Sequence, residues 1–398
     1  MLLLSPTASY AQHLVTATDN GILKAKEVQA KYRKFFAAAP AIKPVDIQLI
    51  KVRYLQGQDE KPSQVVSGLL AVPKNGAPKG IVIFYHGTLA NRGNVPSRYR
   101  GEEKNAETAG PVLAFATAGY AVMMPDYRGL GDNKDVHPYF DMQTNSRAGI
   151  DMLDPAWFAA EQFKLKMGTG YYVSGYGQGG AAAMGATRTF EWAADESMRV
   201  VRSALLSGPY DLSGTQAKFL LRKSPNRAAM RERAFLAAYL ARSLNHNGVR
   251  IRYRDYFVPS FADAIDPIFN QGLSDENTAK ELFAKARQND FAQPKFRKAI
   301  QIHDRRDPIV KALIEQDCFD WEMGSEIYMV CVEKDSVVSP ENTRKAIREM
   351  RAKGVGPDGV RHHVLKGAKL DHRTGMAPAL ILARKFFDGG FKAVPSSG

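Results

Sequence analysis

The stretch that decides the fold is Tyr171–Met184, which reads Tyr-Tyr-Val-Ser-Gly-Tyr-Gly-Gln-Gly-Gly-Ala-Ala-Ala-Met. A run rich in β-forming residues ends at a cluster of glycines and continues into an alanine-rich run that favours a helix. This order is typical of the sharp strand-to-helix turn that lifts a nucleophilic side chain above a parallel sheet, with the pattern Gly-x-Ser-x-Gly. Here the five positions read Gly-Tyr-Gly-Gln-Gly, so Gly177 stands where the pattern has serine.

Length and composition are those of a globular protein. The 398 residues are 44% hydrophobic, enough for one large core with an insertion or for two domains. The two cysteines, Cys318 and Cys331, are too few for a disulfide scaffold and form no Cys-x-x-Cys pair. We therefore predict neither a zinc site nor a cofactor, and whether the two thiols pair is left open.

The N-terminus resembles the end of a secretory signal. It begins Met-Leu-Leu-Leu and offers a small-x-small cleavage site after Ala11. We interpret residues 1–11 as a truncated signal and expect a periplasmic or secreted protein, with a cytoplasmic location as the alternative. No later stretch approaches the ~20 apolar residues that a membrane-spanning helix needs.

The chain is basic, with a formal net charge of +14. Residues 217–311 carry 19 Lys and Arg against 10 Asp and Glu. Such a face could attract an anionic lipid interface or an acidic substrate, and a plain solvated basic surface is the simpler alternative. No aromatic stacking pattern or nucleic-acid motif accompanies these charges, which argues against nucleic acid as a partner.

The first part of the chain predicts a helix and a hairpin. Residues 12–44 are predicted to be helical, because apolar positions recur three and four residues apart before Pro40 and Pro44. Two extended runs, Val45–Leu55 and Val65–Val72, flank a polar turn and predict an antiparallel hairpin.

Beyond the hairpin, continuous apolar runs alternate with helical patterns. A run without polar alternation fits a strand that is buried on both faces. The alternation predicts an α/β fold with a mostly parallel, doubly wound sheet. The further predicted strands are Gly80–Tyr85, Tyr120–Pro125, Tyr171–Tyr176, Val200–Ser207, Glu326–Glu333 and Val360–Leu365, and the predicted helices are Glu107–Ala118, Asn145–Phe163, Pro340–Lys353 and Ala377–Phe387.

A helical, basic segment interrupts this alternation. Residues 212–320 contain the long helical pattern Arg227–Leu244 and no buried strand. We interpret the segment as a helical cap or lid, inserted after the sixth sheet strand into a core formed by residues 12–211 and 321–398.

Two late loops carry the partners that a nucleophile at such a turn requires, an acid and then a histidine. Asp335 follows one predicted strand and His372 follows the last one. The histidine would take the nucleophile's proton, and the acid would orient the imidazole and stabilise its cation. Asp335 could instead cap a turn or a helix, and Asp371 is a rival carboxylate beside His372 in sequence.

Backbone N–H groups of Thr88 and Gln178 are the predicted oxyanion-hole donors, and a glycine at the turn leaves both in place. His86, Gly87 and Tyr176 belong to the same corner and are assigned to substrate binding. The His86 ring is expected to be a structural hydrogen-bonder rather than a base.

Two other interpretations of the opening stretch are disfavoured. Gly175, Gly177 and Gly180 match the dinucleotide fingerprint Gly-x-Gly-x-x-Gly, which normally belongs to the first βαβ unit and precedes an acidic residue by about 20 positions. Here several strands come first, and Asp211 lies too far along. Ser174 lies inside the predicted strand without flanking glycines at the required spacing, so it is rejected as the nucleophile.

Several motifs together resemble the α/β-hydrolases of the secretory lipase and esterase kind, over roughly residues 65–390. The motifs are His86-Gly-Thr, Asp126-Tyr-Arg-Gly-Leu-Gly-Asp132, His137-Pro-Tyr139, Gly175-Tyr-Gly-Gln-Gly-Gly180, Gly208-Pro-Tyr-Asp-Leu212, Asp335 and His372. The resemblance implies a carboxylic-ester hydrolase acting on a small ester or lipid, with the insertion as a lid over an acyl pocket. The family's Gly-Tyr-Ser-Gln-Gly-Gly is Gly-Tyr-Gly-Gln-Gly-Gly here.

Three accounts of Gly177 follow. The chain is a hydrolase disabled by exchange of serine for glycine, or a natural pseudo-hydrolase that binds an ester-like ligand or a partner. In the third account it is a slow hydrolase in which the pair His372 and Asp335 activates water.

Overall fold

The computed structural model describes residues 13–58, 61–102, 106–193, 199–287, 290–322 and 324–395. The predicted signal, residues 1–11, lies outside these ranges. Within them one nine-stranded sheet forms the centre of the molecule. Its strands are β1 Leu14–Leu23, β2 Ile47–Gln58, β3 Lys61–Pro73, β4 Ile81–Tyr85, β5 Ala121–Pro125, β6 Tyr171–Tyr176, β7 Val200–Leu206, β8 Glu326–Val332 and β9 Val360–Leu365.

The strand order across the sheet is β1-β2-β3-β5-β4-β6-β7-β8-β9. The first three strands form an antiparallel meander that joins β5, also antiparallel. From β5 to β9 all neighbouring strands are parallel. The carboxyl ends of β4, β6, β8 and β9 therefore meet at one edge of the sheet, where open α/β sheets place their sites.

Helices cover both faces of the sheet. They are α1 Ala25–Phe35, α2 Ala106–Pro111, α3 Met142–Ile150, α4 Leu153–Gln162, α5 Gln178–Trp192, α6 Ala217–Leu221, α7 Arg227–His246, α8 Tyr253–Tyr256, α9 Pro259–Ala262, α10 Ile265–Phe269, α11 Asp275–Ala284, α12 Pro294–Gln301, α13 Pro308–Glu315, α14 Glu341–Ala352 and α15 Met376–Gly389. Two π-helical turns, Val112–Ala116 and Leu212–Gln216, and two 3₁₀ turns, Pro96–Arg98 and Gly390–Ala393, complete the helical elements of the described chain.

Two buried clusters hold the layers together. One joins the sheet to α3, α4, α5, α14 and the helices between β7 and β8. The other lies on the opposite face and joins the sheet to α1, the turn Val112–Ala116 and α15. This two-faced burial explains why β4 and β5 are apolar at every position, since all of their residues are buried.

The structure confirms the predicted α/β class and the mostly parallel sheet, and it corrects several elements. Residues Leu14–Leu23 form a strand, not the start of a helix, so the helical segment interrupts the sheet after its seventh strand. The helix predicted over Asn145–Phe163 is two helices, α3 and α4, and the one predicted over Glu107–Ala118 ends at Pro111 and continues as a π-helical turn.

The segment between β7 and β8 contributes α6 to α13 to the molecule and, among its described residues, no strand of the central sheet. Its apolar side chains belong to the same buried cluster as those of α3 and α5. None of the described helices is both long and apolar enough to cross a membrane.

Candidate active site

The turn between β6 and α5 is built from glycines. Gly177 has φ 58° and ψ −122°, a conformation that side-chain-bearing residues rarely adopt. A Cβ atom at Gly175 would collide with the Gly179 carbonyl, and one at Gly179 would collide with the Tyr85 carbonyl. The turn therefore packs directly on the backbone at the end of β4, which positions residue 177 at the edge where the parallel strands end.

A side chain at position 177 would enter the space between two loops. A Cβ atom built on Gly177 lies 3.0 Å from His372 Nε2 and 4.0 Å from Gly87 Cα. The structure thus brings together the loop that follows β9, the loop that follows β4 and the tip of the turn. These are the groups that the sequence predicted to share a site.

The Asp335 carboxylate contacts the His372 ring. Asp335 Oδ2 lies 2.7 Å from His372 Nδ1, and Oδ1 accepts hydrogen bonds from the backbone N–H groups of Val337 and Val338, both at 2.8 Å. Asp335 is therefore both the partner of the histidine and the residue that closes the turn after β8. Because Asp335 occupies Nδ1, His372 presents Nε2 toward position 177.

Opposing effects set the charge of His372. Burial lowers the pKa of its imidazole, whereas the charge and hydrogen bond of Asp335, with the charges of Glu232 and Glu107, raise it. The raising effects are larger, so the pKa of His372 lies above its ordinary 6.5. The site therefore favours the imidazolium, the form a general base reaches after it accepts a proton.

The residue after the turn is held by a buried histidine. His137 Nδ1 lies 2.8 Å from the Arg128 carbonyl and Nε2 lies 2.8 Å from Gln178 Nε2. Burial lowers the pKa of His137 to about 3, so the ring is neutral, donates from Nδ1 and accepts from the Gln178 amide at Nε2. This contact fixes the first residue of α5, whose backbone N–H is a predicted oxyanion donor.

The other predicted donor, Thr88, lies in the loop after β4. Its hydroxyl lies 3.0 Å from the Tyr139 hydroxyl. The neighbouring Gly87 N–H donates to Glu107 Oε2 at 2.8 Å, so that amide already has an acceptor. The Thr88 and Gln178 amides both lie beside the turn, and their oxyanion role stays a prediction.

Two residues assigned to substrate binding, His86 and Tyr176, have buried side chains that bond to backbone carbonyls of the site. His86 is fully buried, and its ring nitrogens lie 2.7 Å from the Gly87 carbonyl and 3.2 Å from the Asp126 carbonyl. Tyr176 is also buried, and its hydroxyl donates to the His372 carbonyl at 2.6 Å. Neither side chain is open to a ligand in this conformation.

The residues weighed as rivals have other partners. Asp371 accepts from the Thr374 backbone N–H at 2.9 Å, and the buried Ser174 hydroxyl donates to the Ala204 carbonyl at 2.7 Å. Cys318 and Cys331 are both buried free thiols. No group of residues able to hold a metal ion occurs in the described part of the chain.

Glu107 belongs to the site, although the sequence predicted it only as the start of a helix. Its carboxylate accepts from Gly87 N–H and raises the pKa of His372. A glutamate in the first turn of a helix is common, so the sequence pattern offers no distinguishing signal. The contact with Gly87, twenty residues earlier, exists only in the folded chain.

A cavity of about 610 Å³ lies beside this corner, between α1, α2 and the start of α15. Its floor is apolar and includes Leu113 and Met376, and Lys31, Lys34 and Arg373 supply its cations. Its lining contains no residue of the segment 212–320.

Comparison with known proteins shows which fold this chain has. No protein-family model and no curated protein sequence matches the chain. Among solved structures, a provisionally assigned hydrolase from Legionella pneumophila is 24% identical, with a TM-score of 0.82, over 97% of this chain and 100% of the other. The rice cell wall degrading esterase LipA from Xanthomonas oryzae is 20% identical, with a TM-score of 0.76, over 95% and 98% of the two chains.

Candida antarctica lipase A is similar over 98% of this chain and 85% of its own, with 12% identity and a TM-score of 0.66. The chain has the α/β-hydrolase fold. The resemblance found in the sequence motifs is thereby confirmed for the fold, since identities this low carry the architecture alone. In α/β-hydrolases a strand-to-helix turn of this kind carries the nucleophile.

Proposed function

We propose that this chain is a carboxylic-ester hydrolase scaffold in which glycine occupies the nucleophile position. One observation carries the proposal: a side chain at position 177 would start 3.0 Å from His372 Nε2, while His372 Nδ1 contacts Asp335. As it stands, the chain binds small carboxylic esters or lipids and hydrolyses them very slowly or not at all.

The mechanism of the serine form follows from this geometry. The hydroxyl introduced by Gly177→Ser gives its proton to His372 Nε2 as its oxygen attacks the ester carbonyl. Asp335 stabilises the imidazolium, and the backbone N–H groups of Gln178 and Thr88 face the developing oxyanion. The imidazolium returns the proton to the leaving alcohol, and water, activated by the same histidine, then releases the acid.

With Gly177 two outcomes remain, and they differ in turnover. In the first, His372 deprotonates a water that attacks the ester directly. Enzymes that lack a triad member keep roughly 10³–10⁴-fold acceleration over water from their oxyanion hole and binding. In the second, the chain only binds the ester. An aryl ester that stays intact through prolonged incubation with the protein identifies the binder.

The decisive experiment is Gly177→Ser, assayed on short-chain aryl esters. We expect kcat/KM to rise by roughly 10³-fold or more, because removing the nucleophile of a complete triad costs up to about 10⁶ in rate. Gly177→Ala is the matched control, since it adds the same Cβ without the hydroxyl. Both variants should lose about 1–3 kcal/mol of unfolding free energy, because φ at this position is positive.

A folded Gly177→Ser protein that hydrolyses no faster than Gly177→Ala would contradict the assignment of His372 and Asp335. Circular dichroism and urea unfolding of both variants separate that result from misfolding.

We also propose that residues 212–320 cap the site. Asp275 Oδ1 accepts the backbone N–H groups of Ala90 and Asn91, at 3.0 and 2.8 Å, in the loop after β4. Deletion of the segment would leave these donors without their acceptor. Retained aryl-ester binding in a folded deletion variant would argue against the cap.

A further inference from the structure

Glu107 places a carboxylate beside the nucleophile position. Its Oε2 accepts Gly87 N–H at 2.8 Å, and a Cβ atom at Gly87 would lie 2.8 and 3.0 Å from Oε2 and Oε1. Gly87 Cα in turn lies 4.0 Å from a Cβ atom at Gly177. The carboxylate therefore fills the space where a side chain at position 87 would lie.

One oxygen of this carboxylate, Oε1, takes no hydrogen bond from the part of the chain that the structure describes. Among the described residues, Gly87 N–H is the one hydrogen-bond donor that contacts Glu107, and it takes Oε2. Burial raises the pKa of Glu107, while the Gly87 hydrogen bond and the charges of His372 and Arg373 oppose that rise. A carboxylate oxygen that has lost part of its hydration needs a donor from water or from a ligand.

The neighbouring charged groups already have partners. Asp335 accepts from His372 and two backbone amides, and Asp275 accepts from two amides of the loop after β4. Glu232 lies 3.4 Å from Arg373. Of the carboxylates with a free oxygen among the described contacts, Glu107 is the one that bonds Gly87, whose Cα lies 4.0 Å from a Cβ atom at Gly177.

We propose that Glu107 is a specificity-determining residue that accepts a hydrogen bond from a hydroxyl or ammonium group of the substrate, close to its ester carbonyl. The inference rests on the proposed ester hydrolase function and names its substrate class: esters whose acyl part carries a donor. A hydroxyl supplies a hydrogen bond to the carboxylate, and an ammonium adds a charge of opposite sign.

The test compares three 4-nitrophenyl esters in the Gly177→Ser background: butanoate, 3-hydroxybutanoate and 3-aminobutanoate. We expect kcat/KM to favour at least one donor-bearing ester over butanoate by about 10- to 100-fold, the usual worth of a hydrogen bond to a charged group. A larger preference for the amino ester indicates recognition of charge, and equal preferences indicate recognition of the donor alone.

Glu107→Gln is the diagnostic variant for the amino ester, because its amide oxygen can still accept Gly87 N–H while its amide nitrogen cannot accept from an ammonium group. A hydroxyl can accept from that nitrogen, so the preference tested in this variant is that for the amino ester over butanoate. We expect the preference to fall to about one. Glu102→Gln, at an exposed position on the same connection, is the control and should keep it. A preference that survives in Glu107→Gln, or that is absent before the substitution, overturns the inference.

A second measurement is independent of turnover. Ketone analogues of the three esters, which cannot be hydrolysed, can be titrated calorimetrically into the unmodified chain with Gly177. The same order of affinities, abolished by Glu107→Gln, supports recognition by Glu107 even if Gly177→Ser proves inactive. Equal affinities together with an active serine form would remove this inference and leave the proposed function standing.

Discussion

At the scale of single residues, the proposed function makes the protonation of His372 control the chemistry of this site. A general base must be neutral to accept a proton, so the rate should fall as pH drops through the pKa of His372. That pKa is raised above 6.5, chiefly by Asp335 against the opposing effect of burial. The acid limb of the pH profile should therefore lie above the pH at which an ordinary histidine titrates.

Asp335→Asn tests this dependence. Removing the negative charge should lower the pKa of His372, because that charge is the largest effect that raises it. An NMR titration of the His372 ring in the Gly177 chain would show the shift directly. In the Gly177→Ser background the acid limb should move to lower pH, and kcat should fall by roughly 10⁴-fold, as for triad enzymes without their acid.

Asp371→Asn is the control for that experiment. Asp371 precedes His372 in sequence, but its carboxylate bonds to Thr374 rather than to the ring. Its removal should shift the pKa of His372 less than Asp335→Asn does. Equal shifts from the two variants would mean that the contact between Asp335 and His372 does not govern the histidine.

Only some features of the site could be predicted from the sequence. The contact between Asp335 and His372 was predictable, because the chain order of acid and histidine after late strands follows from the parallel sheet. Glu107 and the contact of His137 with Gln178 were not, because each depends on a hydrogen bond between distant segments. The burial of His86 and Tyr176 likewise follows from the packing of loops, which local sequence does not determine.

At the scale of elements, the helical segment between β7 and β8 holds three loops of the site. Asp275 binds the loop after β4, and Glu232 lies 3.4 Å from Arg373, the residue after His372. Arg233 on α7 donates from Nε to the Ser336 carbonyl at 3.0 Å, next to Asp335. The segment therefore supports these loops, in addition to the cap role that we propose for it.

Arg233→Met tests that support. Arg233 is buried and donates to two carbonyls, those of Ser336 and Arg222. Leaving these acceptors without a donor should cost about 2–4 kcal/mol of unfolding free energy, measured by urea denaturation. Arg231→Met, two residues earlier and partly exposed, is the matched control and should cost less than about 1 kcal/mol. Equal losses would contradict a specific role for Arg233.

Strand prediction from sequence succeeded where burial on both faces made a strand continuously apolar, as in β4 and β5. It failed for β1, where most positions of Leu14–Leu23 are at least partly exposed. That strand is specified by its antiparallel register with β2, a partner elsewhere in the chain. The break between α3 and α4 was missed for a similar reason, since Asp151 at the break is held by contact with Gly57 of β2.

At the scale of the whole molecule, charge is distributed unevenly. The chain carries +14 overall, and residues 217–311 contribute a large share of the excess. By contrast, the negative charges of Asp335, Glu232 and Glu107 all raise the pKa of His372. A basic exterior and an acidic site corner favour attraction to an anionic surface without favouring an anionic substrate.

This contrast predicts binding to vesicles that contain phosphatidylglycerol and not to pure phosphatidylcholine. Sedimentation should show that the binding weakens between 0.1 and 1 M salt, since the screening length falls from about 10 to about 3 Å. Lys295→Glu with Lys298→Glu, on exposed positions of α12, should reduce it.

Lys366→Glu with Lys369→Glu changes the net charge equally at exposed positions outside the segment. An equal loss in both pairs would assign the attraction to total charge rather than to the segment. Vesicle binding that depends neither on lipid charge nor on salt concentration would contradict the predicted attraction to an anionic surface.

The elbow is built without any side chain at position 177. Gly175 and Gly179 close the turn against the backbone of Tyr85, and Gly177 N–H bonds to the Leu206 carbonyl through main-chain atoms alone. Codons for glycine and serine can differ at a single base. Under the proposed function, a lineage with this scaffold can therefore pass between ester carrier and ester-cleaving catalyst by one point mutation, in either direction, without an unfolded ancestor between them.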